Sequence, residues 1–330
     1  MKFIILGGSQ KGSSEFFAEE WSHYNKAIIL EIDIDNGEVS KKIEYVSPDK
    51  VRASSNSGIL FKSGAYKNNN LFCCTPTEIL VYKLPNYKLI NYLSKRTFND
   101  LHHVTPHSKE GMLVASTGLD LVQHISDDGQ ILSEWNVLNP NKQDSTWEKF
   151  SRNIDYRKVP TTKPHLVHPN FICEYDDDFY VTRFEQRDVI ALKSGKTFNI
   201  DIERPHDGLI ENNIGVYTTV NGHVVFLDII QNKIICNLDI NKLYPDNSVL
   251  GWCRSICKVD DEHYLVGFSS LRPTKFVNNL KWLKNKLLTN NRKKSLPTRI
   301  ILINIKKNQI INEFNLNDYD CNVIFSIIKK

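Results

Sequence analysis

A unit of roughly forty to fifty residues recurs along this chain, and a repeat of that length restricts the fold to closed or stacked arrays of one supersecondary element. The clearest copy starts at His102-His103, runs through the apolar stretches 112–117 and 121–125, turns at Asp127-Asp128-Gly129 and ends in 131–135. Alternating apolar stretches separated by turn residues read as four successive strands. Similar units span 57–92, 168–202, 206–237 and 251–314, the last with a long internal insertion. The first unit is incomplete. Strand-like runs at 3–6 and 28–34, and a further one after Asn36-Gly37, supply all but the innermost strand, and an orphan run at 322–328 matches the missing piece. Joining both termini in one sheet removes the open edge of a ring. The expected fold is therefore all-β, a six-bladed β-propeller over residues 1–330 as a single domain, with seven blades as the alternative count.

Composition narrows the function classes. Lys and Arg number 42 against 38 Asp and Glu in 330 residues, so the charge balance predicts no nucleic-acid footprint. Cys73, Cys74, Cys173 and Cys236 fall inside apolar runs among seven cysteines, which predicts reduced, buried thiols and a cytoplasmic protein. Cys253 and Cys257 do not form a C-x-x-C pair. The apolar start at 3–6 is too short for a signal-peptide core, and no run approaches the roughly twenty apolar residues of a membrane span. A monomer is expected.

The repeat also carries the chemistry. His102-His103, His168 and His206 each stand about ten residues before a strand-like run, and Arg254 holds the corresponding place in the last unit. In a closed ring these positions converge on the central channel. Side-chain alternation puts His102 and His103 on opposite faces, so one of them faces the channel and the other packs sideways. Three imidazoles around one point suit a divalent transition metal such as Zn, Mn, Fe or Ni, with open positions for water and substrate. The alternative is a polar lining hydrogen-bonded to backbone and water. Asn170 would hydrogen-bond substrate, Arg254 would orient an anionic group, and His165 and Trp252 would reach the same rim. His23, His107, His124, His223 and His263 are expected in packed or solvated places.

The segments Asp100-Leu101-His102-His103-Val104, Val167-His168-Pro169-Asn170, Arg204-Pro205-His206 and Gly251-Trp252-Cys253-Arg254, with 267–272, occur in order over most of the chain. In that order they resemble an uncharacterised bacterial family of propeller-like proteins, a domain of unknown function. The resemblance implies the propeller fold and a site at His102, His168, Asn170, His206 and Arg254, and it implies no reaction. A long basic insertion after Arg272 departs from the family pattern and leaves the surface contacts open.

Two insertions interrupt the repeat. Residues 139–163 are polar with Trp147, Phe150 and Tyr156 among charges, and read either as a lid over the channel or as an excursion anchored by its aromatics. Residues 273–297 place apolar side chains near helical spacing among lysines and arginines, which predicts a basic amphipathic helix. That helix would contact an anionic membrane surface or an acidic protein through 275–294, or pack on the propeller flank.

Two functions follow from these residues. One is a metal-dependent lyase, hydrolase or oxygenase acting on a small anionic or sugar-like substrate. The other is a non-catalytic propeller scaffold that binds a glycan, a peptide or a protein partner. No nucleophile triad, phosphate loop or dinucleotide fingerprint is present in the sequence to name a reaction.

Overall fold

A computed structural model describes residues 1–10, 23–142, 145–245, 248–271 and 294–330. They form six four-stranded antiparallel sheets whose innermost strands pack in a closed ring, a six-bladed β-propeller. The innermost strands are Val323–Lys329 in blade 1 and Gly64–Lys67, Leu101–Pro106, Pro169–Tyr175, Pro205–Glu211 and Trp252–Lys258 in blades 2 to 6. A separate parallel pair joins Ser248–Val249 to Lys294–Ser295. Residues 272–293, most of the expected basic helix, lie outside the described residues. Among the described residues no helix is long and apolar enough to cross a membrane.

The strands of a blade are buried on both faces because each face meets a neighbouring blade about a sheet spacing away. Successive residues of the strand Lys2–Gln10 show this. Phe3 and Ile5 pack with Cys257, Leu265 and Ile300 of blade 6, while Ile4 and Leu6 pack with Leu71, Cys73 and Leu80 of blade 2. Each of the six seams has such a cluster. Runs that are apolar throughout, such as 3–6, are what such two-sided burial requires. Outer strands have one exposed edge and are more polar. Cys236 lies on one, Lys233–Asp239, and is exposed, which corrects its expected burial.

Blade 1 is closed by both ends of the chain. Phe3, Ile4, Ile5 and Leu6 pair with Lys329, Ile328, Ile327 and Ser326, and Gly7 and Gly8 with Ile324 and Val323. Gly7 is required by this contact, because a Cβ there would stand 2.0 Å from Val323 O. The expected closure of the ring by the C-terminal run is therefore observed.

Candidate functional site

The innermost strands carry irregularities in register near their starts. In blades 1, 3 and 6 the shift leaves one residue unpaired opposite the neighbouring strand, namely Phe325, His102 and Arg254. In blades 4 and 5 the shift falls on Asn170-Phe171 and His206-Asp207, each after a proline. An extra residue re-aims its side chain, because the strand's two-residue alternation is interrupted there. Lys62 holds the same place in blade 2, where its N–H reaches Cys74 O (2.8 Å) just ahead of Gly64–Lys67. Lys62, His102, His206, Arg254 and Phe325, together with His168, line a cavity of about 790 Å³.

His102 is the one of the adjacent pair that faces this cavity. His103 packs beside Phe171 of blade 4, with ring centroids 5.0 Å apart, and burial lowers its imidazole to about 3. His103 therefore lies away from the converging rings. Asn170 corresponds by register to His206, yet it is buried between blades and donates to Pro205 O (3.4 Å). Its expected contact with substrate has no counterpart in the cavity wall. His168 enters from the loop two residues earlier, in a left-handed backbone conformation (φ 57°). Asp120 holds it there, because its carboxylate accepts the amides of Leu166 (2.7 Å), Val167 (3.0 Å) and His168 (2.8 Å).

The three rings converge. His102 lies 4.9 Å from His168 and 6.2 Å from His206 by ring centroids. Their hydrogen bonds fix the tautomers. His102 Nδ1 faces Asp100 O (2.8 Å) and His206 Nδ1 faces Arg254 O (2.9 Å), and a carbonyl only accepts, so both Nδ1 atoms carry the proton. Thr162 donates its hydroxyl proton to Gly118 O or Asn99 Oδ1, so it accepts from His165 Nε2 at 3.3 Å. His165 Nδ1 then accepts from His168 Nδ1 at 2.7 Å. His102, His168 and His206 thus each keep the lone pair on Nε2, while His165 keeps its own on Nδ1.

Burial pushes His102, His168 and His206 well below the usual imidazole range, and Lys62, His165 and Arg254 respectively add to the effect. The rings are neutral. Lys62 is buried in their midst, its Nζ 3.3 Å from His102 Nε2 and 3.1 Å from Asp100 Oδ1. Burial lowers its proton affinity and Arg254 lowers it further, against the pull of Asp100. Burial alone would raise Asp100, but Lys62 and then His102 outweigh it and hold the carboxyl well below its ordinary range. Lys62 Nζ and the Arg254 guanidinium each lie 4.5 Å from the Phe325 ring centroid, and Trp252 lies 5.9 Å from the same guanidinium. Among the described residues no three His, Cys, Asp or Glu side chains are grouped to hold a metal. Around His102 the lone pair faces the Lys62 ammonium.

The insertion 139–163 forms part of the cavity wall. Tyr156 is buried against Leu119 and Leu121 with Trp147 and Phe150 beside it, and Lys158 Nζ bonds Asp49 O and Arg52 O, each at 3.0 Å. Val159, Pro160 and Thr161 then reach the cavity.

One neighbour of His206 makes a pH-dependent contribution to stability. Asp207 is buried in the seam between blades 5 and 6 and accepts the Ile256 amide (3.1 Å). Burial raises its carboxyl from 3.8 to about 8, although the Ile256 and Gly208 amides pull it down. A folded-state value above the unfolded one means that this stability is present below about pH 4 and is lost as pH rises through about 8. Asp207→Asn is expected to melt higher than the parent at pH 8 and to match it at pH 4. Parallel melting curves across that range would disprove the assignment.

No family model and no curated protein matches the sequence. Solved structures do. A protein of unknown function from Bacteroides caccae is 13% identical with TM-score 0.60, and the match covers 99% of this chain and 98% of that one. The structure of a nidogen/laminin complex matches at 8% identity and TM-score 0.58 over 99% and 98% of the two chains. At such identities the likeness is one of fold.

Proposed function

We propose that the protein recognises a small organic anion at the mouth of its central channel. The observation that carries this reading is the pair of cations, Lys62 and Arg254, set against one Phe325 ring beside three neutral imidazoles. Five basic side chains against two acidic ones line the cavity. A carboxylate, sulfate or phosphate would take charge-assisted hydrogen bonds from the cations. Neutral Nε2 atoms accept hydrogen bonds, which suits hydroxyls on the same ligand and so a sugar acid or a hydroxy acid. The aromatic side chains Tyr24, Phe184 and Trp252 add apolar surface for its carbon skeleton.

The test is thermal melting and calorimetry with sulfate, phosphate and glucuronate, each with and without a chelator. At least one of them is expected to raise the melting midpoint of the parent, in proportion to its occupancy. Arg254→Met is expected to weaken that binding at least tenfold, since losing a charged hydrogen bond costs about 1.5–3 kcal/mol. No shift with any of the three would overturn the reading. A shift abolished by the chelator would transfer the anion to a transition ion on the imidazoles, and with it the site to metal-dependent chemistry.

A further inference from the structure

We propose that Lys62 is a covalent nucleophile that forms a Schiff base with the carbonyl of a 2-oxo acid, whose carboxylate pairs with Arg254. The inference rests on the anion-binding reading and adds a reaction to it. Among the described residues Lys62 is a lysine buried at the cavity itself, held by two named acceptors, Asp100 Oδ1 at 3.1 Å and His102 Nε2 at 3.3 Å. Neither acceptor is free to drift. Asp100 O takes the proton of His102 Nδ1, which aims Nε2 at the amine. The arrangement has the logic of an activated nucleophile, with an amine, a base in contact with it and a third group that orients the base.

The bond changes balance without a further reactant. The Lys62 ammonium gives a proton to His102 Nε2, and the freed lone pair forms a C–N bond to the carbonyl carbon. The carbonyl oxygen takes up that proton and a second one from the nitrogen, and leaves as water. The iminium that results carries the one positive charge the ammonium carried before, so Asp100 keeps its partner throughout. Burial and the nearby Arg254 cation lower the proton affinity of Lys62 and so favour the free amine that attacks, as in lysines activated by burial or by a neighbouring cation. Here the cation is Arg254, which also supplies the place for the carboxylate. In a 2-oxo acid the two groups are on adjacent carbons, and Lys62 and Arg254 are the two cations that meet Phe325, each 4.5 Å from its ring centroid.

The substrate class follows from this pairing and from the size of the cavity, about 790 Å³. Such a space accepts an acid with a substantial side chain, whereas pyruvate alone would fill a small part of it. Retro-aldol cleavage, decarboxylation and dehydration of 2-oxo acids all proceed through an iminium at this carbon. His168 and His206 line the same cavity and keep lone pairs on Nε2 that would accept a hydrogen bond from the bound ligand.

The experiment is reductive trapping on the full chain at neutral pH. Protein is treated with sodium borohydride in the presence of pyruvate or phenylpyruvate, digested, and each lysine adduct is quantified by mass spectrometry. Lys62 is expected to carry at least tenfold more adduct than the average surface lysine, and excess sulfate is expected to suppress it. Lys62→Arg keeps the charge beside Asp100 and is expected to lose the adduct while retaining the parent's melting midpoint. Equilibrium dialysis of the same acids without borohydride separates the two readings. Binding that depends on Arg254, with adducts spread evenly over the surface lysines, overturns the Schiff base and leaves the anion site standing. Absence of both binding and trapping overturns the 2-oxo acid as ligand, whatever sulfate does.

Discussion

A chain ended at Asp320 is expected to be recovered unfolded or aggregated, with no cooperative melting transition. The deletion removes the innermost strand of blade 1 and with it the burial of Val323, Ile324, Phe325, Ile327 and Ile328, each no more than 8% exposed. At about 2 kcal/mol for each buried side chain the loss approaches 10 kcal/mol, the size of a whole domain's stability. It also bares the edge of the first strand from Phe3 to Gly8, and an unpaired apolar edge recruits other chains. Near-ultraviolet circular dichroism and size-exclusion chromatography measure both effects. Gly7→Val attacks the same closure with the chain intact, because its side chain would collide with the Val323 carbonyl. A truncated protein with the parent's melting midpoint would disprove closure by the C-terminal strand.

Asp120→Ala is expected to cost about 3 kcal/mol of stability and to weaken binding of a hydroxy acid at the cavity. Three successive amides converge on the Asp120 carboxylate, and hydrogen bonds to a charged group contribute about 1.5–3 kcal/mol each without adding in full. Asp120 itself stands at φ 53°, which asparagine tolerates better than alanine. Asp120→Asn, with one acceptor oxygen left, should fall between parent and alanine variant in chemical denaturation. Since Asp120 lies at the base of the loop and the affected ring is His168, equal loss of stability with unchanged binding would show that the loop's conformation is set elsewhere.

The propeller was legible because a closed ring demands repetition, and repetition survives in residue pattern. The split first unit and the orphan run at 322–328 even specified where the ring closes. His102, His206 and Arg254 were legible for the same reason. Alternation could not choose between His102 and His103, since the choice depends on a one-residue shift in pairing that leaves no mark in composition. Nor could the repeat separate Asn170 from His206, which share one register although only His206 lines the cavity. Lys62 was missed because the second unit was expected to begin its inner strand near Ser57, whereas the strand starts at Gly64. A signal for it was present. Serine follows the cavity residue in Lys62-Ser63, Arg254-Ser255 and Phe325-Ser326, and aligning the units on that pair would have brought all three to the rim. Asp120 acts across 46 to 48 residues, a distance over which sequence carries no local trace.

The unpaired residues of the inner strands bear on how such a protein changes over time. Because the extra residue stands outside the ladder, strand pairing does not fix its side chain, which is held by contacts at the cavity such as His206 Nδ1 to Arg254 O. A ring built this way offers a replaceable position in several of its blades, each aimed at the same space. Duplicated blades would inherit the position along with the strand, and drift at that position alone would rewrite the ligand. Here blades 1, 3, 5 and 6 present phenylalanine, two histidines and an arginine where the register of the inner strand shifts. Chemical diversity among chains of this architecture is then expected to concentrate at a handful of codons, while the scaffold around them stays fixed.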